Sequence, residues 1–329
     1  MVSAESGSQF RMKPPPYELV RLRSGAVSVR SCADGETMHP AIGPAVEAEC
    51  IYVKQLRLAE RFTKHEGEFV IWDVGLGAAA NAVAVLKVTE SMIGAAASGP
   101  ARSLRLVSFD STLEPLRFAL RHTAELDYLR GREAILNRLI ERGEVSFNEH
   151  QIAVIWSAHV GDFPTLLANC QDDGKGGIHN PQSAIRNEIA PPPVGCHGQS
   201  LPAPHAILFD PFSPAKNPAM WTAPLFVALF RFLDPQRPCS LATYSRSTMV
   251  RVALLLAGFF VGVGHPSGRK EETTIAANKV ELIDKPLGRR WLERARRSDA
   301  AEPLWESVYR RGGLSRPSWE KLRSHPQFR

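Results

Sequence analysis

The stretch from Ala206 to Trp221 constrains the chain most. Ala206-Ile207-Leu208-Phe209 is a short, wholly apolar run that stops abruptly at Asp210 and is followed by Pro211, Pro214 and Pro218. The pattern predicts a strand buried within a sheet that leaves into a stiff loop. Ligands of open parallel sheets bind outside the carboxyl ends of the strands, and a proline-restrained backbone holds side chains there at little entropic cost. Asp210, Phe212 and Lys216 are therefore the first candidate functional residues. The same pattern also suits an Asp that only caps a turn and a Lys that is only a solvated loop cation.

Upstream, Phe69-Val70-Ile71-Trp72 reads as a strand, Asp73-Val74-Gly75-Leu76-Gly77 as a glycine-rich turn, and Ala78 to Leu86 as a small-residue helix starting near Asn81. Glycines let a backbone approach a ligand closely, and a helix N-terminus offers free N–H groups. A dinucleotide, S-adenosylmethionine or tight packing would each be served by such a turn. Leu104 to Phe109 is a second strand ending at Asp110, placed to accept hydrogen bonds from paired ribose hydroxyls. A long helical region is expected from Leu113 to Arg142, then a third strand at Ile152 to Trp156 with Asp162 just beyond it. Asp162 suits an adenine amino group or a helix N-cap, and the two roles are compatible.

After Ala206 the alternation continues, with helices at Trp221 to Leu233 and Ser247 to Ala257, a strand at Cys239 to Tyr244, and a closing pair at Phe259 to Val263 and Thr273 to Ala277. Strands alternating with helices make this a doubly wound α/β sheet. Before the sheet, Arg23 to Ser31 suggests a small hairpin, and Pro44 marks the first turn of a helix carrying Glu47, Val53 and Leu56. Between them a loop brings Gly35, Glu36 and His39 together. The expected division is a disordered lead at 1–16, a cap at 17–66, the sheet domain at 67–280 with a flexible insertion at 171–204, and a basic extension at 281–329.

The five cysteines are scattered and never spaced as metal ligands or a redox pair, so no metal site is expected. No charged start with an apolar segment behind it opens the chain, and the longest apolar run, Val252 to Gly264, is shorter than the roughly 20 residues a membrane helix needs. A soluble, cytoplasmic protein is expected. The net charge of +6 is uneven, since Lys285 to Arg329 holds 12 Lys and Arg against 5 Asp and Glu. A cationic tail beside a near-neutral body suits a polyanion such as RNA, and equally a solvated tail with no ligand. Within it, Arg289 to Arg297 reads as an amphipathic helix docked by Trp291, Leu292, Trp305 and Tyr309 as buried anchors.

With the glycine turn, Asp110, Asp162 and the Asp210 loop in order, the chain resembles class I S-adenosylmethionine-dependent methyltransferases, which implies a Rossmann-like, seven-stranded sheet. More narrowly it resembles the MnmC-type methyltransferase domain, the family that completes the methylaminomethyl group of the tRNA wobble uridine. Asp210 to Trp221 is close to that family's Asp-x-Phe-[Ser/Ala]-Pro-x-Lys-Asn-Pro-x-[Met/Leu]-Trp signature, with support from Gly35-Glu36, His39, Gly43, Glu47-Ala48 and Gly268-Arg269-Lys270. The resemblance implies S-adenosylmethionine as cofactor, held by Gly75, Gly77, Asp110 and Asp162, with Asp73 and Asn81 of the same turn assigned beside them. Asp210, Glu36 and His39 would face the substrate amine, while Phe212, Lys216, Arg269 and Lys270 would meet base and phosphate. The implied partner is tRNA at its anticodon stem-loop, with the aminomethyl group supplied by a separate flavin oxidoreductase or another protein. Three departures stand out: Ala79 replaces the family's third glycine and would set a Cβ close to the cofactor, the insertion from Asp172 to Pro204 is unusual, and His39 precedes Pro40 rather than serine. A methyltransferase for another amine and a non-catalytic RNA-binding relative are the competing readings.

Overall fold

In the computed structural model the residues described are 16–92, 102–150, 152–172, 201–268 and 271–329. The predicted lead up to residue 15 and most of the predicted insertion fall outside them. Strands β1 (Tyr17–Arg21), β2 (Val27–Ser31) and β3 (Glu36–Thr37) form a small antiparallel sheet, with Tyr17 opposite Ser31. The predicted hairpin is therefore real but starts earlier, at Tyr17. Helix α1 (Pro44–Ala48) opens with its proline and widens into a π-helical turn, Glu49–Lys54, before α2 (Leu58–Lys64).

The main sheet begins with β4 (Gly67–Val74), which leads through the glycine turn to α3 (Ala80–Leu86). Then come β5 (Arg102–Asp110), α4 (Glu114–Leu120) and α5 (Glu133–Arg142). The leucine pattern from 113 to 142 thus covers two helices, because a 3₁₀ turn at Asp127–Leu129 and Gly131, at φ +80°, break the run. Next are β6 (Glu144–Glu149), β7 (Ile152–Val160), α6 (Phe163–Asp172), β8 (Ala206–Phe209), α7 (Ala223–Phe232) and β9 (Ser240–Thr243). Helix α8 (Thr248–Ala257), β10 (Phe260–Gly264) and β11 (Thr273–Ala277) close the sheet, and α9 (Arg289–Arg296) and α10 (Arg316–Arg323) follow.

The strand order is β10-β11-β9-β8-β4-β5-β7-β6. Seven of these are the expected strands. The eighth, β6, was not expected: its polar alternation hides a strand that pairs antiparallel with β7, Val145 opposite Trp156. Strands β9, β8, β4, β5 and β7 run parallel, with Asp73 level with Ser108 on one side and Leu208 on the other. Successive side chains of β4 point to opposite faces, so Phe69 and Ile71 enter one core while Val70, Trp72 and Val74 enter the other. Burial on both faces is why these strands read as continuous apolar runs. The connections turn opposite ways from β4, which opens a crevice at the carboxyl ends of β4 and β8. No helix among the described residues is long and apolar enough to cross a membrane.

The basic extension docks on the second core through Trp291, Leu292, Ala295, Leu304, Leu322 and Phe328. Trp291 and Leu292 are the buried anchors predicted, but Trp305 and Tyr309 are exposed, at 49% and 42%. The sequence pattern could not separate them because the loop carrying them has no helical period. The extension also covers the outer edge of β10, whose backbone would otherwise offer unpaired groups to another chain. Gln327 Oε1 accepts from the Val261 N–H at 2.7 Å, and its Nε2 donates to the carbonyls of Val261 and Leu287, each at 2.8 Å. Gln327→Leu leaves that N–H without an acceptor, and we expect it to cost about 1–3 kcal/mol, measured as a lower urea midpoint with unchanged slope.

Candidate active site

A cavity of about 610 Å³ lies in the crevice at the carboxyl ends of β4, β5, β7 and β8, roofed by the β1–β3 cap. Its wall joins Asp162 and Phe163 at one end, Gly75, Gly77 and Asp110 in the middle, and Asp210, Phe212 and Lys216 at the other. Glu36 and His39 come down from the cap to the same space.

The glycine turn is shaped by a close approach of two backbones. Gly75, at φ +97°, lies so near the Asp210 loop that a Cβ on it would sit 2.7 Å from the Asp210 carbonyl oxygen. The Asp210 N–H donates to the Val74 carbonyl at 2.9 Å, and the N–H groups of Gly75 and Leu76 donate to Phe109. Gly77, at φ +51°, faces Met38 of the cap, with its N–H on Asp110 Oδ2 at 2.8 Å. Ala79 holds φ +63°, a conformation that costs a residue with a Cβ about 1–2 kcal/mol. Ala79 is fully buried and absent from the cavity wall, so its methyl group turns into the core and not toward a ligand.

Asp210 is held in place by Asn81, whose Nδ2 donates to Oδ2 at 2.8 Å. His39 Nε2 lies 3.6 Å from the same oxygen. Tyr52, carried inward by the π-helical turn, is fully buried beside them; burial first, and then Asp210, raise its pKa well above the ordinary phenol value. Its hydroxyl is within reach of Asp210 yet closes no hydrogen bond of normal geometry, and Asn81 Oδ1 is likewise buried without a partner. The backbone after Asp210 is pinned from several sides. Tyr244 donates to the Pro211 carbonyl at 3.0 Å, Trp221 Nε1 donates to the Phe212 carbonyl at 2.8 Å, and the Ser213 N–H and hydroxyl both donate to Glu36. The Glu36 carboxylate thus ties cap to loop, a structural task beside any contact with substrate. Glu47 performs the matching task inside the cap, where its Oε1 accepts from the N–H groups of Ala41, Ile42 and Gly43. That shapes the loop that carries His39.

Two residues expected on the cofactor stand behind the wall. Asn81 serves Asp210, and Asp73 is fully buried, its Oδ2 accepting from Ser108, which in turn accepts from Trp156 Nε1. Burial raises Asp73 to about 7, against the Ser108 hydrogen bond that lowers it and with the charges of Asp210 and Asp110 adding to the rise. Asp110 keeps acceptor capacity, since Oδ1 receives only long contacts from Thr112 N–H at 3.3 Å and the Ser111 hydroxyl at 3.4 Å. Burial raises its pKa, opposed by the Gly77 N–H. Asp162 caps α6, accepting from the Thr165 N–H and hydroxyl, and still borders the cavity. Phe212 is half-buried and Lys216 exposed at the mouth, while Arg269 and Lys270 lie outside the described residues. Tyr52, Tyr244 and Ser213 were not among the expected site residues. Only Ser213, inside the loop signature, carried a sequence signal.

The glycine turn, the acidic residues closing β5 and β7, and the sheet order define a class I S-adenosylmethionine-dependent methyltransferase domain. Residues 199–279 match the model of an S-adenosyl-L-methionine-dependent methyltransferase family. Within that class the chain carries an MnmC-type domain. It is 30% identical over 247 residues to the tRNA 5-methylaminomethyl-2-thiouridine biosynthesis bifunctional protein MnmC of Aeromonas hydrophila, covering 71% of this chain and 31% of that protein. The protein of the same name from Ralstonia nicotianae is 37% identical over 103 residues, 31% of this chain and 14% of its own length. The chain therefore spans about a third or less of the curated relatives it matches. The crystal structure of MNMC2 from Aquifex aeolicus superposes with a TM-score of 0.59 at 20% identity, over 93% of this chain and 82% of that one, and supports the fold.

Two outcomes are expected from the wall and its backing. Gly75→Ala forces a Cβ against the Asp210 backbone and should lower the melting temperature together with ligand affinity, by tenfold or more (about 1.4 kcal/mol) in calorimetry. For Asp73, a folded pKa raised from 3.8 to about 7 means that its favourable contribution is complete below the unfolded value and disappears as pH rises through 7. Asp73→Asn stays neutral, so its urea midpoint should gain on the wild type between about pH 4 and about pH 7 and change little above that.

Proposed function

We propose that this chain is an S-adenosylmethionine-dependent N-methyltransferase that methylates the aminomethyl group of a tRNA wobble uridine. The observation that carries the reading is Asp210, fixed by Asn81 at the one place where the glycine-turn wall, the proline loop and the cap meet. The residues fit the cofactor. A cavity of about 610 Å³ is of ligand size, Asp110 Oδ1 is free enough to take ribose hydroxyls, and Asp162 borders the far end for an adenine amino group. The acidic side chains of the wall, Asp110, Asp162 and Asp210, also favour a ligand with positive charge. Bound S-adenosylmethionine supplies an electrophilic methyl group on a sulfonium.

The chain's own residues then do three things. Asp210 accepts or orients the proton of the attacking amine, which must be neutral to use its lone pair. With Oδ2 held by Asn81, Oδ1 is the acceptor left for that proton among the described contacts. His39, 3.6 Å from the same Oδ2, adds a second group beside that oxygen, and Glu36 ties the loop to the cap through Ser213. Phe212 offers a ring to the base and Lys216 a cation to the backbone phosphate. Positioning of this kind is worth about 7–11 kcal/mol where the reacting atoms are held in line.

In this reading residues 17–66 form the cap, 67–280 the methyltransferase domain and 281–329 the basic extension, and the setting is cytoplasmic. The aminomethyl group comes from another protein, a flavin oxidoreductase by the resemblance. The names of the relatives support the substrate, and the site supports an amine. Titration with S-adenosylmethionine should give micromolar binding that Asp110→Ala weakens at least tenfold. Asp210→Asn should keep cofactor binding and lose methyl transfer to undermethylated tRNA by about 100-fold or more. No binding by the wild type overturns the reading in favour of a non-catalytic RNA-binding relative.

A further inference from the structure

The loop between α9 and α10 presents what the sequence pattern would have buried. From Trp305 to Arg311 every residue is exposed, and Trp305, Val308 and Tyr309 are three of the five large hydrophobic residues that stand out on the described surface. The loop has a firm base. Glu302 accepts from Trp305 Nε1 at 2.9 Å, from the Ser315 N–H at 2.8 Å and from the Ser318 hydroxyl at 2.8 Å, while the N–H groups of Ala301 and Glu302 both donate to Gly312. The indole is thus oriented by its N–H with half its surface left to solvent. Such a ring is held out at little further entropic cost when something stacks on it.

The loop is also joined to the active site. Leu304 bridges to Thr222 and accepts from the Ala223 N–H at 2.7 Å, and Thr222 directly follows the 3₁₀ turn whose Met220 lines the cavity. Trp305 therefore begins within about 16 Å of the cavity wall, measured along these backbones. The surroundings are cationic. Arg310 makes no ion pair among the described residues, Arg311 is only 3.7 Å from the exposed Asp299, and Arg296 and Arg297 are exposed on the adjoining helix end. Aromatic faces interleaved with arginines, beside the cavity proposed to take the target base, match the requirements of a single-stranded nucleic acid: bases stack on rings and phosphates meet guanidinium groups.

We propose that Trp305 and Tyr309, flanked by Arg310 and Arg311, form a stacking platform for RNA nucleotides that flank the target base outside the cavity. This rests on the proposed tRNA substrate. The test uses the full chain, an unmodified tRNA transcript and its isolated anticodon stem-loop. The Trp305→Ala/Tyr309→Ala variant should bind both RNAs at least about tenfold more weakly, with S-adenosylmethionine affinity and melting temperature unchanged, and Trp305→Phe/Tyr309→Phe should restore most of the loss. Arg310→Ala/Arg311→Ala should flatten the salt dependence of binding by roughly the share of two phosphate contacts. Unchanged RNA affinity in the alanine pair overturns the platform while leaving the proposed substrate standing. Absence of any RNA binding by a wild type that binds S-adenosylmethionine overturns both. Wild-type self-association that the alanine pair abolishes, with RNA binding intact, assigns the surface to a second copy and overturns the platform.

Discussion

The approach of Gly75 to the Asp210 backbone is the constraint on which the site depends. Two strands that are neighbours in the sheet, β4 and β8, end in turns that must both pass through the same few ångströms, and only a residue without a Cβ permits it. The contact sets the height of Asp210 over the turn, and Asn81, one helical step beyond, then reaches back to its carboxylate. The glycine conventionally credited to a ligand is here credited first to the protein. Its conformational freedom places a catalytic candidate, and the space for a ligand results from that placement.

Around this contact the polar groups are arranged by what they must satisfy. Asp73 sits in the core with one oxygen on Ser108 and the other without a partner, a costly position that raises its proton affinity. Tyr52 and Asn81 also carry buried unpaired atoms beside Asp210. Orphaned groups gathered at one spot, with no other buried side-chain polar atom left unpaired among the described residues, mark where stability has been given up to shape a site. The strained Ala79 backbone, two residues along from Gly77, belongs to the same region.

Most of the sheet was legible because a parallel strand buried on both faces reads as a nearly continuous apolar run, as Ala206–Phe209 and Phe69-Val70-Ile71-Trp72 do. Strand β6 was not legible, since Glu144–Glu149 lies at an edge and needs only one apolar face. The leucines of α4 and α5 keep a helical spacing across a break that the 3₁₀ turn supplies, so period alone overstated the helix. In the site, residues placed by strand ends, such as Asp110, Asp162 and Asp210, were visible. Tyr52 was not: it reaches Asp210 from a π-helical turn more than 150 positions away, and no local pattern records such a meeting. Trp305 and Tyr309 show the reverse case, where hydrophobic character alone suggested burial and the fold left them outside.

The bonds from Ser213 to Glu36 join positions 177 residues apart. They make the cap and the proline loop a single latch across the cavity mouth, so neither can swing away while the other stays. A cap that moved away from the loop would have to give up both bonds together. One serine and one glutamate, neither of which needs to touch the reacting atoms, thus hold two walls of the cavity in register.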